Sequence, residues 1–150
     1  MIAFPDTSFL CALYVPQDNS PAAAAHFRDM PEVLHVSGLL LYEFRQSVRF
    51  QIWLHRQDRK KGYPQTIAEA ALAKLQTNLE AGALVVATTD WADVHRRAEQ
   101  LSARHTGTQG HRAFDMLHVA TALHLGAREF LTFDAGQRKL AAKEKMRVKP

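Results

Sequence analysis

The segment HRAFDMLHVATALHLGAREFLTFD, residues 111–134, decides the fold because it joins a buried helix to a buried strand. Residues 114–125 are apolar except for a few polar side chains that do not share one face, which predicts a helix inside the protein. Residues 129–133 are rich in Phe, Leu and Thr, which predicts a buried strand. Asp115 therefore lies near the start of a buried helix, and Asp134 lies just beyond the carboxyl end of a strand. In open parallel sheets, ligands bind at that end of the strands.

The same alternation of short strands and helices continues on both sides of this segment. Strands that alternate with helices imply βαβ units, so we predict an α/β fold: a three-layer α/β/α sandwich with a five-stranded parallel sheet. The chain, residues 1–150, is long enough for a sizeable core and is expected to form one domain. The other strands are predicted at 2–4, 33–36, 84–87 and 146–148, the helices at 7–14, 20–29, 38–61, 65–81, 90–104 and 135–144, and a polar loop at 105–111.

Composition places the protein among ordinary globular proteins. Hydrophobic residues make up 47% of the chain and charged residues 23%. No apolar run approaches the roughly 18 residues of a membrane span, and residues 1–9 lack the features of a secretory signal. A single cysteine, Cys11, excludes an internal disulfide and a cysteine-based zinc site, which favours a reducing cytoplasm. The net charge of +4 is a mild indication of a polyanionic partner.

Four acidic residues occupy unusual places in this pattern. Asp6 and Asp134 follow predicted strands, Glu43 stands among leucines and aromatic residues, and Asp115 opens the buried helix. Each has an alternative interpretation. Asp6 and Asp134 are suitable N-caps, and Asp134 has capping-box spacing to Gln137. Glu43 is suited to pairing with an arginine or to facing solvent, and Asp115 to complementing the helix dipole.

A shared cleft explains the four acids together. Carboxylates that converge repel one another, and a divalent cation removes that conflict. Oxygen ligands without a nearby cysteine suit Mg²⁺ or Mn²⁺ rather than zinc.

Four short motifs resemble those of a known enzyme family. In chain order, they are PDTSFL (5–10), LLLYEFRQS (39–47), RAFDMLHVATAL (112–123) and FLTFD (130–134). Together they resemble the acidic motifs of the PIN-domain ribonucleases, and most of all the VapC-type toxins of bacterial toxin–antitoxin pairs. The resemblance implies a parallel-sheet α/β/α sandwich in which the first and fourth strands are neighbours.

The resemblance also implies an activity and a set of site residues. Asp6, Glu43, Asp115 and Asp134 match the family's metal-binding catalytic acids, and Thr132 matches a polar position beside the site. The implied function is a Mg²⁺-dependent endoribonuclease, with Mn²⁺ as a substitute, that acts in the cytoplasm. RNA is the implied substrate, and a cognate antitoxin and a second copy of the chain are the implied partners.

Alternative functions differ in how well the sequence supports them. A housekeeping PIN nuclease has the same sequence pattern, whereas the four intact acids argue against a non-catalytic adaptor that binds RNA or protein. A phosphorylated receiver-like domain needs adjacent acids after its first strand, whereas Asp6 is followed by Thr7. No glycine-rich phosphate-binding motif supports a nucleotide-binding enzyme.

Basic residues near the acids are candidates for contacts with substrate. Arg45 and Arg49 follow Glu43 on the predicted helix, and either contact an RNA backbone or serve solubility and the helix dipole. Arg112 is placed to hold a carboxylate or to reach a phosphate. Arg56, Lys60 and Lys61 are predicted to continue the stripe to the end of the helix.

Three further residues have structural interpretations. His118 is predicted to be a core or supporting histidine rather than a metal ligand. Phe50 and Trp53 lie on a second apolar face of the long helix, which either a second subunit or the helix at 65–81 covers.

Overall fold

The computed structural model describes all residues, 1–150, and its centre is one parallel sheet. The strand order is β3-β2-β1-β4-β5, and every neighbouring pair is parallel. The predicted α/β fold and its neighbouring first and fourth strands are therefore confirmed. The five strands are β1 (Ala3–Pro5), β2 (Leu34–Val36), β3 (Leu84–Val86), β4 (Glu129–Leu131) and β5 (Arg147–Lys149).

Seven helices cover the sheet in two packed groups. The first four helices contact one another, and the last three do the same, so the sheet forms the middle layer of three. None of these helices combines the length and the apolar character that a membrane-spanning helix requires. The helices are α1 (Thr7–Tyr14), α2 (Ser20–Asp29), α3 (Gly38–Gln57), α4 (Gln65–Glu80), α5 (Trp91–Gln109), α6 (Ala113–His124) and α7 (Ala135–Lys143).

The core lies where these layers meet the central strand β1 and its neighbour β4. Each residue of β1 and β4 is buried, as expected for parallel strands that are covered on both faces. Phe4 of β1 and Phe130 of β4 stack with ring centroids 6.5 Å apart, and Val119 and Ala120 of α6 are fully buried. Helix α6 is thus an internal helix, as its sequence predicts.

Strand register brings the ends of β1 and β4 together. Pro5 is aligned with Leu131, and the backbone N–H of Asp6 donates to the carbonyl of Leu131 at 2.9 Å. Asp6 and Thr132 therefore leave the sheet side by side at its carboxyl edge.

Several predicted boundaries are wrong, most of all the ends of α5 and α3. The stretch predicted as a loop at 105–111 is helical as far as Gln109, where Gly110 ends α5 with φ +64°. The helix continues because Glu144, beyond the end of α7, accepts hydrogen bonds from Arg104 at 3.0 Å and His105 at 2.8 Å. The predicted strands are also shifted or shortened by a residue or two.

Helix α3 ends at Gln57 rather than at the predicted position 61. The chain turns back so that Gly62, with φ +58°, lies against α3, where an added Cβ would be 2.1 Å from the carbonyl oxygen of Gln51. Lys60 and Lys61 therefore lie in the turn and do not extend the basic stripe along the helix.

Candidate active site

Asp6 is the most deeply enclosed of the four acids. Its side chain is fully buried and accepts two hydrogen bonds at each carboxylate oxygen. The Oδ1 atom accepts from the Ser8 hydroxyl at 2.7 Å and the Phe9 backbone N–H at 2.9 Å. The Oδ2 atom accepts from the Thr132 hydroxyl at 2.5 Å and the Gln137 amide at 2.8 Å.

Burial and hydrogen bonding have opposite effects on Asp6. Burial raises its pKa, and the hydrogen bonds from Ser8, Thr132 and Phe9 lower it. Burial is the larger effect, so the pKa of Asp6 is above its ordinary value. A nearby positive charge would lower it again and favour the ionised form.

Asp115, in the first turn of α6, shares a hydrogen-bond donor with Asp6. Its Oδ1 atom accepts from the amide nitrogen of Gln137 at 3.2 Å. One side-chain amide therefore bridges Asp6 and Asp115, which belong to distant parts of the sequence. Of the four predicted acids, these two are the pair that share one hydrogen-bond donor group.

Asp134 lies beside this pair as the N-cap of α7. Its Oδ1 atom accepts from the backbone N–H of Gln137 at 2.7 Å, and its own N–H donates to the Thr132 hydroxyl at 2.9 Å. The predicted capping box is half formed, because the Gln137 side chain turns toward Asp6 and Asp115 instead of toward the helix end.

Glu43 contacts a histidine and does not take part in the Gln137 bridge. Its Oε2 atom forms a short hydrogen bond with Nε2 of His118, which is fully buried in α6. Burial raises the pKa of Glu43, but the hydrogen bond and charge of His118, together with smaller contributions from Thr7 and Arg112, lower it below its ordinary value. His118 thus supports a carboxylate, in agreement with its predicted role.

Arg112 connects the acids electrostatically. Its guanidinium lies 3.2 Å from Asp115, and the charge and hydrogen bond of Asp115, with smaller contributions from Asp134 and Glu43, raise the pKa of Arg112. Three of the four acids therefore act on one exposed cation. Arg45 and Arg49 on α3 form no ion pair, and their contacts with RNA stay a prediction.

The chemistry of these donors fits a hard divalent cation. The acids supply only oxygen, and burial raises the pKa of nearby Cys11 to about 11, so its thiol stays protonated at neutral pH. No group of three or more histidine, cysteine or acidic side chains is arranged to hold a metal ion in this structure. Both oxygens of Asp6 accept hydrogen bonds, and Oε2 of Glu43 is hydrogen-bonded to His118. The four acids as metal ligands therefore stay a prediction.

Sequence reasoning missed two residues of this cluster. Ser8 donates to Asp6, lies 3.3 Å from the Thr132 hydroxyl and accepts from the backbone N–H of Phe133 at 2.9 Å. Gln137 bridges two acids. The signal in the sequence is a polar residue in the first turn of the helix after each strand-end aspartate.

The fold and the site together define a parallel α/β domain with carboxylates grouped at the carboxyl ends of β1 and β4. The chain belongs to the PIN domain family, whose profile matches residues 3–143. A search of curated protein sequences found no match.

Solved structures with the same fold cover nearly the whole chain. The toxin VapC20 of Mycobacterium tuberculosis, described as cleaving the sarcin-ricin loop, is 23% identical, with a TM-score of 0.67 and 99% of each chain covered. FitAcB from Neisseria gonorrhoeae is 18% identical, with a TM-score of 0.65 and 100% of this chain and 97% of that chain covered. VapBC2 from Rickettsia felis, solved with a DNA fragment from its promoter, is 14% identical, with a TM-score of 0.64 and coverage of 99% and 98%.

Proposed function

We propose that this protein is a Mg²⁺-dependent endoribonuclease that hydrolyses RNA phosphodiesters and acts as the toxin of a toxin–antitoxin pair. The observation that carries the proposal is the joining of Asp6 and Asp115 by one amide at the carboxyl edge of the sheet, beside Asp134. Membership of the PIN domain family supports a nuclease. The toxin assignment is supported by the fold shared with VapC20 and with the VapBC and FitAB proteins.

Asp6, Glu43, Asp115 and Asp134 would hold the cation, with Mn²⁺ as a substitute for Mg²⁺. A bound divalent cation of this type polarises a phosphate oxygen and lowers the pKa of a bound water. The residues of the chain then have separate tasks. Ser8 and Thr132 fix the orientation of Asp6, and His118 holds Oε2 of Glu43 and keeps that carboxylate ionised.

Basic side chains near the acids supply contacts with RNA in this proposal. Arg112 is mostly exposed while it touches Asp115, so its guanidinium is placed to contact a phosphate that enters the site. Arg45 and Arg49 lie on α3 within the two turns that follow Glu43, where a nucleic-acid backbone would meet them.

The proposal includes a cognate antitoxin and a second copy of this chain as partners, and the cytoplasm as the place of action. The free thiol of Cys11 is consistent with a reducing compartment. A homodimer is supported by Phe50 and Trp53, which stack with ring centroids 5.4 Å apart while about half of each side chain is exposed. Helix α4 does not cover them, so the apolar face is open to a partner.

The test is RNA cleavage by purified protein with Mg²⁺, with Mn²⁺ and with EDTA. We expect cleavage that EDTA abolishes and that Asp115→Asn reduces by more than about tenfold. Asp18→Asn is the matched control, because Asp18 is an exposed acid outside the site. Cleavage without metal by both the wild type and Asp115→Asn would refute the mechanism. An active nuclease whose expression leaves growth unaffected would refute only the toxin assignment and favour a housekeeping nuclease.

A further inference from the structure

Gln137 is an enclosed polar residue without an assigned role. Its side chain is 4% exposed, on the first turn of α7. The amide nitrogen donates to Oδ2 of Asp6 at 2.8 Å and to Oδ1 of Asp115 at 3.2 Å, which uses both of its hydrogens. The amide oxygen is buried and has no hydrogen-bond partner. A buried carbonyl without a hydrogen bond destabilises the fold. In this conformation, both carboxylates receive a hydrogen bond while the amide oxygen has none.

The helix does not need this side chain in order to start. The cap of α7 is formed by the backbone N–H of Gln137 with Asp134, and the N–H of Asp134 is satisfied by Thr132. Replacing the side chain therefore leaves every hydrogen bond of the cap in place. The replacement removes only the hydrogen bonds that the amide donates to Asp6 and Asp115.

An amide that donates to two carboxylates reduces the repulsion between them, as a bound cation would. Its two N–H groups neutralise part of the repulsion between the acids, although the amide has no net charge. Asp6 Oδ2 and Asp115 Oδ1 both lie within 3.2 Å of the amide nitrogen, and a cation held by both acids would compete with the amide for these oxygens. The amide and the cation are therefore alternatives at one position.

We propose that Gln137 is a positioning residue that occupies the place of the cation in the metal-free protein and competes with it. The inference rests on the proposed function, which supplies the cation. It has two consequences. Gln137 stabilises the metal-free fold by holding two converging acids together, and it weakens metal binding because the bridge has to open first.

The experiment compares Gln137→Met with the wild type in metal-stripped protein. Methionine has a similar length and no donor, so it removes the bridge and keeps the volume. Calorimetric titration with Mn²⁺ should give a Kd about three- to tenfold lower in Gln137→Met, the equivalent of one net hydrogen bond. The melting temperature without metal should fall, and the rise on adding Mn²⁺ should exceed that of the wild type. The matched control is Gln76→Met, because Gln76 also donates to an acid, Glu80, but on the exposed face of α4.

Three results would overturn the inference. An unchanged Kd for Mn²⁺ would make Gln137 a structural residue, and a higher Kd would make its oxygen a metal ligand. Absence of Mn²⁺ binding in the wild type would reject both the inference and the metal site of the proposed function. An unchanged or higher Kd in Gln137→Met would reject the inference alone, so the two failures can be distinguished. If Gln137→Met does not fold, Gln137→Asn is measured instead, because its shorter side chain cannot span both acids and should tighten Mn²⁺ binding in the same direction.

Discussion

Asp134 combines two roles that one substitution separates. Its Oδ1 atom caps α7, and its charge contributes to the field around Arg112. Asparagine keeps an acceptor for the cap and removes the charge, so Asp134→Asn should change the free energy of unfolding of the metal-free protein by no more than about 1 kcal/mol. In contrast, RNA cleavage should fall by more than about tenfold, and the stabilisation by Mg²⁺ should decrease. Two thermal melts and one activity assay at pH 7.5 measure these effects.

Asp90→Asn is the control for capping chemistry. Asp90 caps α5 by accepting from the N–H of Ala92 at 3.0 Å, and it follows the edge strand β3 rather than a central strand. This variant should retain full cleavage and the full response to Mg²⁺. If Asp134→Asn behaves in the same way as Asp90→Asn, Asp134 is a helix cap and no more.

The turn between α3 and α4 depends on one glycine. Gly62 has a left-handed backbone, and a Cβ there would overlap the carbonyl oxygen of Gln51. Gly62→Ala should therefore lower the free energy of unfolding by about 2 kcal/mol or more. Gly82, with φ +73°, has nothing within 4 Å of the same Cβ position, so Gly82→Ala should lose only the conformational part, about 1 kcal/mol. Urea denaturation of both variants tests the difference, and equal losses would show that the contact with Gln51 is not tight.

Glu144 ties the end of α5 to the end of α7. Burial raises the pKa of Glu144, but the hydrogen bonds and charges of His105 and Arg104 outweigh it, so that pKa is lowered below its ordinary value of 4.5. A carboxyl group with a lowered pKa in the folded state stabilises the fold above about pH 4.5, and this contribution is lost as the pH falls further. Glu144→Gln should therefore be less stable than the wild type at pH 7, by roughly 1 kcal/mol because the pair is partly solvated.

Thermal melts between pH 3 and pH 7 measure the effect of Glu144→Gln. The difference from the wild type should shrink as the pH falls below 4.5. Glu99→Gln is the control, because Glu99 is exposed on the same helix as Arg104 and His105 and accepts no hydrogen bond. A difference that stays constant with pH would show that Glu144 acts through packing and not through its charge.

The contact of Glu144 with α5 also shows why the sequence predicts the helices and strands but not their exact boundaries. Helix and strand positions follow from local periodicity, so all twelve elements are found. Helix α5 continues past Arg104 and His105, which donate to Glu144 about 40 positions later, and the chain after α3 turns back where Gly62 packs against that helix. Such boundaries depend on tertiary contacts, which local pattern does not contain.

At the scale of the whole molecule, the sequence likewise predicts part of the candidate site, and tertiary contacts determine the rest. Parallel strands share a carboxyl edge, so the sequence predicts that Asp6 and Asp134 lie at one edge of the sheet. The resemblance to the PIN-domain ribonucleases adds that their strands are neighbours and that Thr132 lies beside the site. The bridge from Gln137 to Asp6 and Asp115 could not be predicted, because the choice between a capping box and an inward side chain depends on what lies across the sheet.

The exposed side chains of Phe50 and Trp53 lead us to predict a homodimer. Their stacked rings form an apolar surface on α3, and Tyr42 of the same helix is also exposed. If a second copy covers this surface, light scattering should give a dimer mass at on the order of 10 µM protein. Trp53→Glu should then give a monomer, because it places an unpaired charge in an apolar interface. The control is Trp91→Glu, since Trp91 is an exposed tryptophan at the start of α5 and should leave the dimer intact. A wild-type monomer at that concentration would reject the dimer, and a dimer that persists in Trp53→Glu would place its interface on another surface.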